Sequence, residues 1–213
     1  MKTLISTDSL CDLDQDLLAE NSINCIPIHI TMANKEYLDG VDIDIDKLFE
    51  FYAKTGELPK TSALNTSEFI EYFKEIAARE GGNCEIVHIS CGSSLSSAYQ
   101  NCLTAAKMLE KDEDLKVHVV DSHSLSSAQG MEVLDACAME KQGKSALEIF
   151  KYFQENAKKY IATVLLDSLE FMQASGRCNG FMKFLSSALS IKPALVSKPE
   201  EHGMLGVGKK YRG

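Results

Sequence analysis

The segment Glu85–Tyr99, reading EIVHISCGSSLSSAY, concentrates the residues best suited to chemistry. Five serines, Ser90, Ser93, Ser94, Ser96 and Ser97, fall within eight positions. A β-branched apolar run (Ile86, Val87, Ile89) precedes them and a helical pattern follows. The first turn of a helix carries unpaired N–H groups and a partial positive charge. Small hydroxyl residues there leave room for an anion and add donors. The segment therefore reads as a pocket for a carboxylate or phosphate. A plain N-cap is the competing reading. One or two hydroxyls suffice for a cap, so five favour the pocket.

Other loops offer the same chemistry. Asp8, flanked by Thr7 and Ser9, ends the first apolar run. Its carboxylate either orders neighbouring hydroxyls or caps a helix beginning near Leu13. Asp121–Ser122 has the same two readings. Pro59–Lys60–Thr61–Ser62 is a stiffened loop with two hydroxyl donors, and alone reads as an ordinary turn. Ser93, Asp121 and His123 hold the side-chain types of a hydrolase relay. The second glycine of a G-x-S-x-G elbow is missing after Gly92–Ser93–Ser94–Leu95. His123 also follows Asp121 too closely for an easy relay. Gly176–Arg177 places a guanidinium beside a hinge-like residue, where it could clamp an anion. Phe171, Met172, Phe181, Met182, Phe184 and Leu185 form either core or a wall for an aliphatic ligand. The glycine-rich stretch Gly203, Gly206 and Gly208 matches no nucleotide-binding loop and reads as a flexible turn.

These loops need elements to position them. Strands are expected at 2–5, 24–31 (with Pro27 at an edge or irregular position), 85–89, 116–120, 160–166 and 190–198. Helices are expected at 14–21, 45–54, from Thr66 or Ser67 onward, 94–110, 124–141, and from a Ser145 cap to about 158. Alternating strands and helices imply an α/β fold with a mainly parallel sheet. Ligands in such sheets sit at the carboxyl ends of strands. Three expected strands end in hydroxyl-rich loops there: Ser6–Ser9, Ser90–Ser96 and Asp121–Ser122. A domain change is expected at 158/159.

Composition narrows the function classes. The 213 residues carry a formal net charge of -9. An acidic chain with one basic knot, Lys209, Lys210 and Arg212, is a poor nucleic-acid binder. Seven scattered cysteines form no C-x-x-C pair and match no zinc spacing. No apolar run reaches membrane-spanning length, and the N-terminus lacks a signal-peptide core. The expectation is a cytoplasmic protein without an integral membrane segment, cofactor or metal.

Taken in order, the polar loops resemble the DegV family of bacterial lipid-binding proteins. The resemblance rests on Ser6-Thr7-Asp8-Ser9, Pro59-Lys60-Thr61-Ser62, Ser93-Ser94-Leu95-Ser96-Ser97-Ala98-Tyr99-Gln100, Val120-Asp121-Ser122, Gly176-Arg177, Ile191-Lys192-Pro193 and Arg212. Two departures stand out. Ser97-Ala98-Tyr99 replaces a common S-G-T-Y, and small residues are added around Cys91–Gly92. Family members usually continue well past the segment matching Arg212, so a truncated second domain is expected.

The resemblance implies an N-terminal three-layer α/β/α domain (1–158) and the start of a second α/β domain (159–213). Between them a long-chain fatty acid would lie. It implies Thr61, Ser62, Ser93, Ser94, Ser96 and Arg177 as ligand-binding residues, with Asp8, Ser9, Asp121, Ser122 and Arg212 in support. It further implies a carrier without chemistry of its own, presenting the acyl carboxylate to a separate ATP-dependent fatty-acid kinase. The alternative is a serine hydrolase acting on a lipid or small ester.

Overall fold

The computed structural model describes residues 1–166 and 191–212. Its central layer is a parallel sheet of β1 (Lys2–Asp8), β2 (Asn24–Ile26), β6 (Cys84–Ser90) and β7 (Val117–Asp121), in the order β2-β1-β6-β7. Alternation along these strands divides the core between the two faces. Leu4, Ile86 and Val119 point to one side, where α3 (Thr66–Arg79) and α4 (Ala98–Glu113) pack. Ile5, Val87 and Val120 point to the other, against α1 (Gln15–Glu20), α5 (Ser126–Lys141) and α6 (Ala146–Asn156). The helices thus cover both faces, as a buried parallel sheet requires.

Local sequence explains the boundaries. Asn65 and Glu68 close a capping box on α3, and Ser145 and Glu148 close another on α6. The cap of α3 is therefore Asn65, one residue before Thr66 and two before Ser67, the caps expected. Asp14 caps α1 through Leu17 N–H at 2.8 Å. The expected strand 24–31 is broken near Pro27, which has no N–H to donate. Its first half is the sheet edge β2. Its second half, β3 (His29–Met32), enters a small antiparallel sheet with β4 (Lys35–Leu38) and β5 (Lys60–Ser62), in the order β4-β3-β5. The helix α2 (Ile45–Thr55) lies between β4 and β5 in the chain. Thr61 and Ser62 consequently lie in a strand rather than a loop.

A third sheet, order β10-β9-β8, is built from β8 (Thr163–Leu165), β9 (Ile191–Lys198) and β10 (Met204–Arg212). The stretch 203–208, expected to be a flexible turn, is mostly strand. Only Gly203 lies at the turn, with φ +89°. Gly206 and Gly208 sit in β10, where a Cβ would collide with the side chains of Lys198 and Val196 respectively. Leu195 and Leu205 of this sheet pack against Leu95 and Leu125. The sheet is thereby seated on the loops that leave β6 and β7.

Candidate functional site

Two aspartates shape the serine loop. Asp8 ends β1 and is fully buried. Its Oδ2 accepts the Cys91 N–H at 3.0 Å and the Ser90 hydroxyl at 3.4 Å. Its Oδ1 accepts the Gln129 side-chain amide at 3.0 Å and the Leu10 N–H at 3.2 Å. The first reading of Asp8 holds, since it organises the loop; the second does not, because the helix after Leu13 is capped by Asp14, and Asp8 caps only the short 3-10 turn at Ser9–Cys11. Burial pushes its carboxyl above the usual range, and these four donors oppose the shift. Asp121 ends β7 and holds the other side, its Oδ1 accepting the Ser93 N–H at 3.1 Å and the His123 N–H at 3.0 Å. The loop from Cys91 to Ser93 is therefore clamped by carboxylates from both neighbouring strands.

The remaining hydroxyls extend this framework. Thr7 donates to the Ile89 carbonyl at 2.9 Å. Ser9 Oγ accepts the Ile28 N–H at 3.2 Å and ties the first loop to the start of β3. Ser122 Oγ donates to the Ser124 carbonyl and accepts the Ser124 N–H, at 3.1 and 3.2 Å. Ser94 donates both its N–H (3.2 Å) and its hydroxyl (2.9 Å) to the His202 carbonyl. Gly92 lies so close to this junction that a Cβ would stand 2.9 Å from the His202 oxygen.

Helix α4 begins at Ala98, four residues later than the sequence implies, so most of the serines lie in a turn before it. Ser96 Oγ accepts the Ala98 N–H at 3.1 Å, while Ser97 makes no side-chain cap. One hydroxyl suffices for that cap, leaving the others for further roles.

A cavity of about 340 Å³ opens beside this turn. Thr61, Ser62, Ser96 and Ser97 contribute hydroxyl residues to its lining. Leu10, Ile28, Leu95, Leu125 and Leu205 contribute apolar residues, and Cys91 also lines it. The structure thus brings Thr61 and Ser62 from β5 to the same cavity as Ser96. Ser93 and Ser94 lie on the adjoining turn, engaged with Asp121 and His202. Arg177 and the Phe171–Leu185 stripe lie outside the described residues. Arg212 is described only by its backbone, which pairs with Ile191.

The hydrolase geometry finds little here. Among the described residues no hydrogen bond joins the Ser93 hydroxyl to a histidine. Asp121 uses one oxygen for backbone N–H groups instead. His123 Nδ1 stands 3.6 Å from the other.

Sequence reasoning missed the apolar wall and Gln129. Leu10, Ile28, Leu95, Leu125 and Leu205 come from five separate segments, and no local spacing connects them. Gln129 is fully buried on α5 and bonds Thr7, Asp8 and the Ile89 carbonyl. A lone glutamine on a helix carries no sequence signal of that kind.

A family model described as "Uncharacterised protein, DegV family" matches residues 2–213. The chain belongs to the DegV family. A DegV domain-containing protein of Clostridium perfringens is 33% identical over 196 residues, covering 91% of this chain and 66% of the relative. One from Caldanaerobacter subterraneus is 30% identical over 212 residues, covering 100% of this chain and 72% of the relative. This DegV chain therefore spans about two thirds to three quarters of these relatives. Among solved structures, a fatty-acid-binding DegV family protein from Thermus thermophilus superposes with a TM-score of 0.86 at 26% identity. That match covers 100% of this chain and 72% of the other. A stearic-acid-binding protein from Eubacterium ventriosum also has a TM-score of 0.86, at 23% identity, and shares the fold. Among the described residues no helix is long and apolar enough to cross a membrane.

Proposed function

We propose that this chain binds a long-chain fatty acid, with the carboxylate against β5 and the serine turn and the tail along the leucine wall. The observation that carries this reading is the mixed lining of one cavity, which gathers the hydroxyls of Thr61, Ser62, Ser96 and Ser97 with the apolar side chains of Leu10, Ile28, Leu95, Leu125 and Leu205. The fatty-acid-binding relative from Thermus thermophilus supports it.

An ionised carboxylate leaving water needs charge-assisted hydrogen bonds, which hydroxyls and amides supply. Each buried methylene of the tail contributes about 0.8 kcal/mol. The tail then provides most of the affinity and the head group sets the orientation. Thr61, Ser62 and Ser96 contact the head directly in this reading. Ser93 and Ser94 shape the adjoining turn and Arg177 supplies positive charge. Asp8, Ser9, Asp121, Ser122 and Arg212 position these groups. Residues 1–158 form the domain that carries the hydroxyl loops, and 159–213 begin a second α/β domain.

The chain acts in the cytoplasm as the acyl-binding partner of a separate ATP-dependent kinase and performs no chemistry itself. Six free cysteines among the described residues suit a reducing compartment. The carboxylate oxygen attacks the γ-phosphorus of kinase-bound ATP, forming an acyl phosphate and releasing ADP. Two measurements test this. Organic extraction of the purified, denatured chain followed by mass spectrometry is expected to yield a fatty acid. Mixing the loaded chain with a bacterial fatty-acid kinase, ATP and hydroxylamine is expected to yield an acyl hydroxamate. An extract without lipid and a chain that takes up no added palmitate would overturn the binding reading. Binding without hydroxamate would overturn only the kinase role.

A further inference from the structure

A second set of side chains converges on the far side of the serine turn. Asp121 Oδ2 lies 3.6 Å from His123 Nδ1 and 3.6 Å from His202 Nδ1. The three ligand atoms all fall within 4.8 Å of one another. His123 Nδ1 is shielded from solvent and has no hydrogen-bond partner among the described residues. A buried ring nitrogen left without a partner calls for an explanation. The two imidazoles lie side by side, with centroids 5.2 Å apart.

We propose that Asp121, His123 and His202 form a three-ligand site for a first-row divalent transition cation of the Zn2+ type. Imidazole and carboxylate suit such ions. In a tetrahedral zinc site with bonds of 2.0–2.1 Å, ligand atoms stand about 3.3 Å apart. Each Asp–His separation needs to shrink by only a few tenths of an ångström. The larger gap between the imidazoles closes by movement of His202, whose side chain is 65% exposed. Asp121 is already oriented for the task. Its Oδ1 is held by the Ser93 and His123 N–H groups, which turns Oδ2 toward both rings. Water completes the fourth position.

No local spacing announces the site, because His202 arrives from the turn between β9 and β10. That placement gives the ion a structural consequence. The His202 carbonyl already accepts both donors of Ser94. A cation joining His202 to Asp121 and His123 would pin this turn onto the serine loop.

The test is zinc binding to the metal-free chain by equilibrium dialysis, with Co2+ absorption as a report on ligand type. His123 and His202 have φ of +50° and +54°. Asparagine tolerates that backbone, so His123→Asn and His202→Asn are the variants. The proposal expects one zinc per wild-type chain, at least tenfold weaker binding by each variant, and a Co2+ spectrum without a thiolate charge-transfer band. Both variants should melt like the wild type in chelator. Zinc should raise the melting temperature of the wild type alone. Equal affinity in His202→Asn, a thiolate band showing the ion on cysteine, or no zinc bound by the wild type would each overturn the proposal.

Discussion

Asp8 shows how much structure a single side chain can hold. Four donors converge on a carboxylate that has no exposure to water. Asp8→Asn keeps the shape but turns two accepting lone-pair sites into N–H donors. It should cost about 1–3 kcal/mol of stability, measured by urea unfolding. Glu132 is the opposite case. It is fully buried on α5, and neither carboxylate oxygen has a hydrogen-bond partner among the described residues. Burial, with the Asp121 and Asp135 carboxylates adding to it, pushes its carboxyl up to about 10. The folded chain therefore keeps a proton that the unfolded chain loses above about 4.5. The stability this contributes is complete below that value and drains away as pH rises toward 10. Glu132→Gln cannot ionise, so its melting temperature should gain on the wild type from about pH 5 to about pH 9. Parallel profiles would show that Glu132 is ionised in the fold. His88, by contrast, is held neutral. Burial lowers it to about 3, and Ser6 meets its Nδ1 at 2.9 Å.

Close backbone approach governs the element scale. The turn between β9 and β10 meets the loop after β6 at Gly92, whose added Cβ would also lie 3.0 Å from the Ser124 oxygen. Backbone atoms cannot swing aside as a side chain does. Gly92→Ala should destabilise the chain by about 1–3 kcal/mol through this overpacking. Gly203→Ala adds a clash with His123 at 2.7 Å to a left-handed backbone, so it should be at least as costly. Thermal unfolding of both variants checks this. Asn65→Ala, which removes half of the α3 capping box, should cost about 1 kcal/mol and leave the cavity intact.

Elements of this kind were largely legible in the sequence. Strands β1, β6 and β7 announce themselves by β-branched runs, and α6 by its Ser145 cap. The errors have physical causes. Pro27 splits one apparent strand between two sheets. Gly206 and Gly208 look like a turn but sit in β10, because their missing Cβ atoms leave room for Lys198 and Val196. The serines look like a helix start, yet Asp8 and Asp121 hold the chain through Ser93 and the His202 carbonyl holds Ser94, so α4 starts only at Ala98.

For the whole molecule, the decisive feature is three sheets meeting around one cavity. The parallel sheet contributes Leu10, Cys91 and Ser96 through its loops, the small antiparallel sheet contributes Thr61 and Ser62, and β10 contributes Leu205. The hydroxyls were readable because each lies in a short polar motif. Their convergence was not, since it depends on β3 pairing Ile30 with Thr61 and on where the β9–β10 hairpin lands. A ligand bound only by the folded chain stabilises it by mass action, about 2.7 kcal/mol at a hundredfold excess over Kd. Saturating palmitate should accordingly raise the melting temperature.

The most direct measurement is calorimetric titration with palmitate and with hexadecanol, its uncharged counterpart, on the wild type and Thr61→Val. Saturable binding of one palmitate per chain is expected, weakened at least tenfold both by the alcohol head group and by the loss of the Thr61 hydroxyl. Equal affinity for palmitate and hexadecanol, unchanged by Thr61→Val, would contradict it.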